Sequence, residues 1–230
     1  MSETKAIIAV LGGTGKEGGG LALRWAHKGH DVILGSRTIE RAQEAADAMN
    51  EILGSNAVSG AANSDAAARA DIVCLAIPYA AQLRTIDEVA VHLDGKILID
   101  VTVPLLPPDV GRVQLPNGGS AVEMVQKRLG EGVRVVSAFQ NISAHHLTKL
   151  DEQIECDVLV CADNPAAADT VVALAEEIGL TAWNAGPLAN SVVAEGLTSV
   201  LIALNRRYKV PGSGVRLTGL PPRARMGSSS

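Results

Sequence analysis

The chain reads as an α/β protein, a doubly wound and mostly parallel sheet with a small C-terminal α/β lobe. Three observations predict it. Apolar runs of strand length alternate with segments of helical spacing from residue 6 to residue 140. The strand runs are apolar throughout, as strands covered on both faces are. A glycine-rich turn joins the first strand to the first helix, the arrangement of a Rossmann-type dinucleotide fold.

The elements follow in order. "AIIAVLG" (6–12) is a short β run, and "GGLALRWAHKG" (19–29) has helical spacing with a glycine stop. "DVILGS" (31–36) is the next strand. "TIERAQEAADAMNEIL" (38–53) is a helix with Thr38 at its N-cap. A short strand at 57–61 and a short helix at 64–70 lead to "DIVCLAIP" (71–78), a buried strand ended by Pro78. A helix at 81–93, the strand "KILIDVTVP" (96–104), a loop rich in proline and glycine, a helix at 120–130 and a strand at 133–140 complete the alternation. Beyond it, strands at 156–163 and 181–186 flank a helix at 165–179. The apolar stretch 187–209 then repeats Val192, Val193, Leu197, Val200, Leu201 and Leu204 at helical spacing. This divides the chain into a dinucleotide-binding part (1–145), a small lobe packed on it (146–217) and a flexible tail (218–230). No internal repeat is visible.

Composition narrows the function. Aromatics are 2% of the 230 residues and the net charge is −5, so neither the stacking platform nor the basic surface of a nucleic-acid binder is present. No basic N-terminal region precedes a long apolar run, and no apolar run is read as reaching the ~20 residues of a membrane span. Cys74, Cys156 and Cys161 lack metal spacing and suit reduced, buried thiols, so a cytoplasmic protein is expected. His145 and His146 are adjacent, which suits neither a helical metal pair nor a triad, and no metal is expected. After Glu195 the chain holds no acid, only Arg206, Arg207, Lys209, Arg216, Arg223 and Arg225. That segment is either a solvated tail or a dock for an anionic ligand.

Gly13-Thr14-Gly15-Lys16-Glu17-Gly18 is a G-x-G-x-x-G in the required strand–turn–helix context. Gly13 is expected to make the tight turn, Gly15 to let backbone N–H groups approach a pyrophosphate, and Gly18 to let helix and strand pack. Sites for NAD carry an acid ~20 residues on, to accept from the ribose 2′-OH. Here that position holds Ser36 and Arg37, with Arg41 one helical turn later. A 2′-phosphate repels a carboxylate and pairs with guanidinium groups, so the site is expected to take NADP. Asp100, ending a buried strand at the ligand edge, is expected to order the loop by hydrogen bonds.

"VLGGTGKEGGGLALRWAHKGHDVILGSR", "DIVCLAIPY", "SAVEMV", "VVSAFQNISA", "DVLVCADN" and "AGPLANSVVAEGLTSVLIALN" together resemble the coenzyme F420-dependent NADP oxidoreductase family, in family order from about residue 6 to 217. The resemblance implies reversible hydride transfer between NADP(H) and the 5-deazaflavin F420. It places Thr14, Gly15, Lys16 and Glu17 on the pyrophosphate and Ser36, Arg37 and Arg41 on the 2′-phosphate. Ile77, Pro78 and Tyr79 would line the adenosine-to-ribose path, and Val103 and Ala144 would flank the nicotinamide. Gln140, Asn141 and Ile142 become deazaflavin-side candidates. The phosphodiester and oligoglutamate tail of F420 would give the basic C-terminal residues a partner. Archaeal members resemble "SALHTIPA" where this chain has "SAFQNISA", so Gln140 and Ser143 replace a histidine and a proline, and Gln140 cannot titrate. An NADPH-dependent reductase of another small acceptor and a non-enzymatic NADP(H) sensor stay open as alternatives. The apolar 188–204 helix is expected to join two copies as a homodimer.

Overall fold

The computed structural model describes residues 5–221; of the expected tail (218–230), residues 222–230, with the basic Arg223 and Arg225, lie outside the described residues. One eight-stranded sheet runs in the order β3-β2-β1-β4-β5-β6-β7-β8. The strands are β1 (Ile8–Leu11), β2 (Val32–Ser36), β3 (Val58–Ala62), β4 (Ile72–Leu75), β5 (Ile97–Asp100), β6 (Arg134–Ser137), β7 (Asp157–Ala162) and β8 (Thr181–Asn184). The first six are parallel, in the 3-2-1-4-5-6 order of a dinucleotide fold. β7 joins β6 antiparallel and β8 joins β7 in parallel, so the C-terminal segment extends the same sheet.

The helices are α1 (Lys16–His27), α2 (Ile39–Leu53), α3 (Asn63–Arg69), α4 (Gln82–Val89), α5 (Ala121–Leu129), α6 (Ala144–Leu147), α7 (Pro165–Glu177) and α8 (Ser191–Tyr208). Side chains alternate across each strand, so the sheet has two apolar faces. Ile8 and Val10 meet Leu21 and Trp25 of α1, Leu147 of α6 and Val171 of α7 on one face. Ala9 and Leu11 share the other face with Ala66 of α3, Ile86 of α4 and Val122 of α5. With few aromatics, the core is built from Ala, Val, Leu and Ile around a single edge-on ring pair, Trp25 and Phe139, 5.9 Å apart.

Three local expectations are corrected. Thr38 stands at the N-cap of α2 but its side chain caps nothing; instead its N–H donates to Ser36 Oγ at 3.2 Å. The tight turn after β1 belongs to Gly12, whose φ is +84°, and not to Gly13. A Cβ on Gly12 would stand 2.3 Å from the carbonyl oxygen of Ala76, so both the backbone conformation and the neighbouring strand demand glycine there. Finally, the helical stretch Leu188–Tyr208 is 21 residues with a mean hydropathy of 1.4 over its most apolar window, enough by length and composition to cross a membrane. Its inward side is mostly polar or small (Ser191, Ala194, Glu195, Ser199) with Leu201 the one buried member of the stripe, while Val193, Val200 and Leu204 point outward. The apolar stripe is therefore split between the buried and the outward side of α8.

Candidate functional site

A parallel sheet opens a crevice where neighbouring connections leave for opposite faces, here between β1 and β4. A cleft of about 490 Å³ lies there, at the carboxyl ends of the strands. Its floor is the turn after β1 (Gly15, Lys16, Glu17, Gly18) and its near wall Ala76, Ile77, Pro78 and Tyr79 after β4. Val101, Thr102, Val103 and Leu105 follow β5, and Gln140, Asn141, Ile142 and Ser143 follow β6. Thr198, Leu201, Ile202 and Asn205 of α8, with Ser213 beyond it, close the far side.

Missing side chains let the cradle, which is the turn and the start of α1, pack closely on the strands. A Cβ on Gly13 would stand 2.7 Å from Leu34 Cδ2, and one on Gly18 2.8 Å from Gly12 O. Gly15 is the N-cap of α1, so the free N–H groups of the first helical turn face this cradle. Ser36 ends β2 beside it, and Arg37 and Arg41 are exposed on the same edge. These three do not line the cleft itself; they stand at its rim, past the turn. Ala144 is also outside the lining, which reaches Ser143 and stops.

Asp100 is the hub of the far wall. It is fully buried, and burial pushes its carboxyl above the usual range against the hydrogen bonds it accepts. Thr102 N donates to Oδ1 at 2.9 Å and Gln82 Nε2 to Oδ2 at 2.7 Å. Gln140 Nε2 donates to the Asp100 carbonyl and to Ser137 Oγ, both at 2.8 Å. A carbonyl can only accept, so the amide orientation of Gln140 is fixed with Oε1 left over. Asn141 is fixed likewise, its Nδ2 donating to Asp157 O at 2.8 Å. Gln140 Oε1 and Asn141 Oδ1 are buried without a hydrogen-bond partner, and both residues line the cleft. Such atoms cost about 1–3 kcal/mol each unless something supplies a hydrogen. The strand-to-wall turn is itself strained: Phe139, fully buried, has φ +73°, which sets its ring against Trp25 and turns Gln140 toward Asp100.

Several functional contacts have no local signal in the sequence. Glu195, fully buried on α8, accepts from the Ala121 and Val122 N–H groups at 2.9 and 3.1 Å, capping α5 from another helix. Burial raises its carboxyl to about 7. The one hint is its place as a lone acid in an apolar helix. Arg24 of α1 is buried and donates to the carbonyls of Leu147, Ile178, His146, Lys149 and Glu152, tying the cradle helix to the segment after the far wall. Burial lowers its pKa and the Glu152 carboxylate opposes that. The C-terminal segment straps down over β7: Asp157 N donates to Val215 O at 2.7 Å and Leu217 N to Asp157 Oδ2 at 2.8 Å.

Residues 7–104 match the family described as NADP oxidoreductase, coenzyme F420-dependent. The F420-dependent NADP reductase of Methanocaldococcus jannaschii is 43% identical over 93% of this chain and 98% of its own. That of Methanothermobacter thermautotrophicus is 42% identical over 93% and 95%. Among solved structures, a protein of Arthrobacter sp. FB24 described as an F420-dependent NADP-reductase superposes with a TM-score of 0.77 at 26% identity, over 93% of this chain and all of that one. An imine reductase of Streptomyces aurantiacus shares the fold, with a TM-score of 0.64 at 19% identity over 88% of this chain and 63% of that one. Similarity that runs from the glycine cradle to the C-terminal strap has one meaning: this chain belongs to the family of coenzyme F420-dependent NADP oxidoreductases.

Proposed function

We propose that this protein transfers hydride reversibly between NADP(H) and coenzyme F420, with both cofactors meeting in the cleft beyond β1, β4, β5 and β6. The observation that carries the NADP side is the end of β2. It offers Ser36, Arg37 and Arg41 where an NAD site would place a carboxylate, beside a turn whose close packing on the strands requires glycines. The free N–H groups of α1 receive the pyrophosphate, and Ile77, Pro78 and Tyr79 line the way inward. Val103 and the Ser143–Ala144 backbone bound the nicotinamide end. In this reading residues 1–145 hold NADP, and 146–217 supply the deazaflavin side with Gln140, Asn141 and Ile142 at the junction.

The residues present fit two stacked rings carrying amide groups. The wall supplies two buried amide oxygens in want of a partner beside the apolar Ile142, Leu201 and Ile202. The bound cofactors supply the hydride donor and acceptor. The protein orients and dries the site: Asp100 fixes Gln140, Thr198 Oγ1 donates to Gln140 O at 2.7 Å, and Leu201 and Ile202 exclude water. Arg206, Arg207 and Lys209, exposed at the end of α8, offer an anchor for the anionic tail of F420. Val193, Val200 and Leu204 on the outward side of the same helix, with Leu106, Val113 and Leu115, favour a homodimer. Light scattering on the eluting protein tests that point.

The test of the function is the visible absorbance of F420 mixed with purified protein and either NADPH or NADH. Bleaching with NADPH and far less with NADH is the expected result. No bleaching with either, while NADP still binds, would remove F420 as the second substrate.

A further inference from the structure

Among the described residues the cleft is lined by three titratable side chains, Lys16, Glu17 and Tyr79, and only one of them is an acid. Glu17 is the second residue of α1, half-buried in the cleft floor, and among the described residues no hydrogen bond reaches its carboxyl. No side chain packed around it is shown to offer a compensating charge, and the N-terminus of α1 alone favours its anionic form. Lys16 and Tyr79 line the cleft without pairing with it, and Lys16 is exposed. The fully buried Cys74 on β4 has its thiol pushed up by burial and by the nearby Glu17 and Asp100 carboxyls, so it stays neutral. Asp100 on β5 is a further acid, already holding its own donors. A titratable acid is thus set at the place where, on the reading above, the diphosphate of NADP must lie.

We propose that NADP(H) binds to the form of this protein in which Glu17 is protonated, so that cofactor binding takes up a proton at this residue. The neutral carboxylic acid then has a hydrogen to donate to a phosphate oxygen, whereas the carboxylate would only repel it. No bond is broken and no electron moves; the proton comes from solvent. Burial already raises Glu17 to about 8, so the free protein is mixed near neutral pH and ionised above it. The sign follows: affinity is level below that pH and falls as pH rises through it. Under this linkage the NADP dissociation constant rises about tenfold from pH 7 to pH 9. The 2′-phosphate of the ligand titrates at about 6, below that window.

The proposal rests on the NADP reading of the cleft. Its test is isothermal titration of the full chain with NADP at pH 7, 8 and 9, in two buffers of different ionisation enthalpy, for the wild type and Glu17→Gln. The expected result is proton uptake that grows toward one per site at pH 9, and that is absent from the variant. Because glutamine imitates the neutral acid, Glu17→Gln binds about as well as wild type at pH 7 and about tenfold more tightly at pH 9. Binding without uptake, uptake that persists in the variant, or a variant weaker at every pH would each overturn the proposal while leaving the NADP reading intact. Failure of the wild type to bind NADP at pH 7 would instead remove the reading and the proposal together.

Discussion

Replacing Arg24 tests whether the cradle helix is held from behind. The side chain is 4% exposed, and its guanidinium serves five carbonyls drawn from α6, from the loop after it and from the end of α7. In Arg24→Leu, the carbonyls of His146, Lys149 and Glu152 lie near enough to the surface to be rehydrated. Those of Leu147 and Ile178 are buried and lose their donor, at about 1–3 kcal/mol each. Removing the desolvated cation offsets part of that, leaving a loss of about 2–5 kcal/mol. For a chain of this size the melting temperature then falls by about 4–20 °C. Arg24→Lys keeps the charge with three donors instead of a planar fork, and is expected to recover roughly half of the loss. Urea unfolding gives the free energy, and amide exchange shows whether residues 144–154 lose protection first. A leucine variant within about 0.5 kcal/mol of wild type, with unchanged exchange in that segment, would refute the claim that this hub joins α1 to the far wall.

Further outcomes follow from the same geometry. Arg37→Ala and Arg41→Ala each weaken NADP binding by about 10–100-fold with little effect on NAD, as the loss of a charge-assisted phosphate contact requires; comparative titration with the two dinucleotides reads this. Gly12→Ala combines a left-handed φ with a 2.3 Å clash against backbone, so it costs more than about 3 kcal/mol and abolishes NADP binding in whatever folds, as denaturant midpoints and titration will show. Glu195 keeps a proton in the folded state up to about pH 7 that the unfolded chain has released by about pH 4.5. Its contribution is therefore present below that lower pH and lost as pH rises to neutrality, on the order of 3 kcal/mol, and the urea midpoint falls from pH 5 to pH 8. Neutralising Arg206, Arg207 and Lys209 together raises the KM for F420 and leaves that for NADPH unchanged; equal effects on both would remove the tail-anchor role.

The parallel frame was legible because each strand and helix declares itself in a local run. The run 71–78 reads as strand because it is apolar from Ile72 onward, and β4 sits inside it, buried on both faces. Gly12 was within reach, since a glycine pair follows β1, but the motif directs attention to Gly13. What the sequence conceals are pairings between distant polar residues. Arg24 and Leu147 are 123 positions apart, and Glu195 caps a helix 73 positions earlier. In a helix of arginine and glutamate at ordinary spacing, such residues look like solvated surface. α8 misleads in the same way: its apolar periodicity marks a side, but not which side faces protein, and here Ser191, Glu195 and Ser199 face in.

The strap at residues 212–217 has a consequence for the order in which the molecule is made. The cradle, near wall and far wall are complete once Ser143 has left the ribosome, yet Ser213, which closes the cleft, is 70 residues later. At ordinary translation rates that is about 4–14 s. During that interval the nascent chain shows an open apolar wall at Leu105 and Ile142, without the cover of α8. The last strand-and-helix unit therefore acts as an in-chain escort, and a stop codon between Asn184 and Ser191 would release a protein with a finished sheet but without the α8 cover of its cleft.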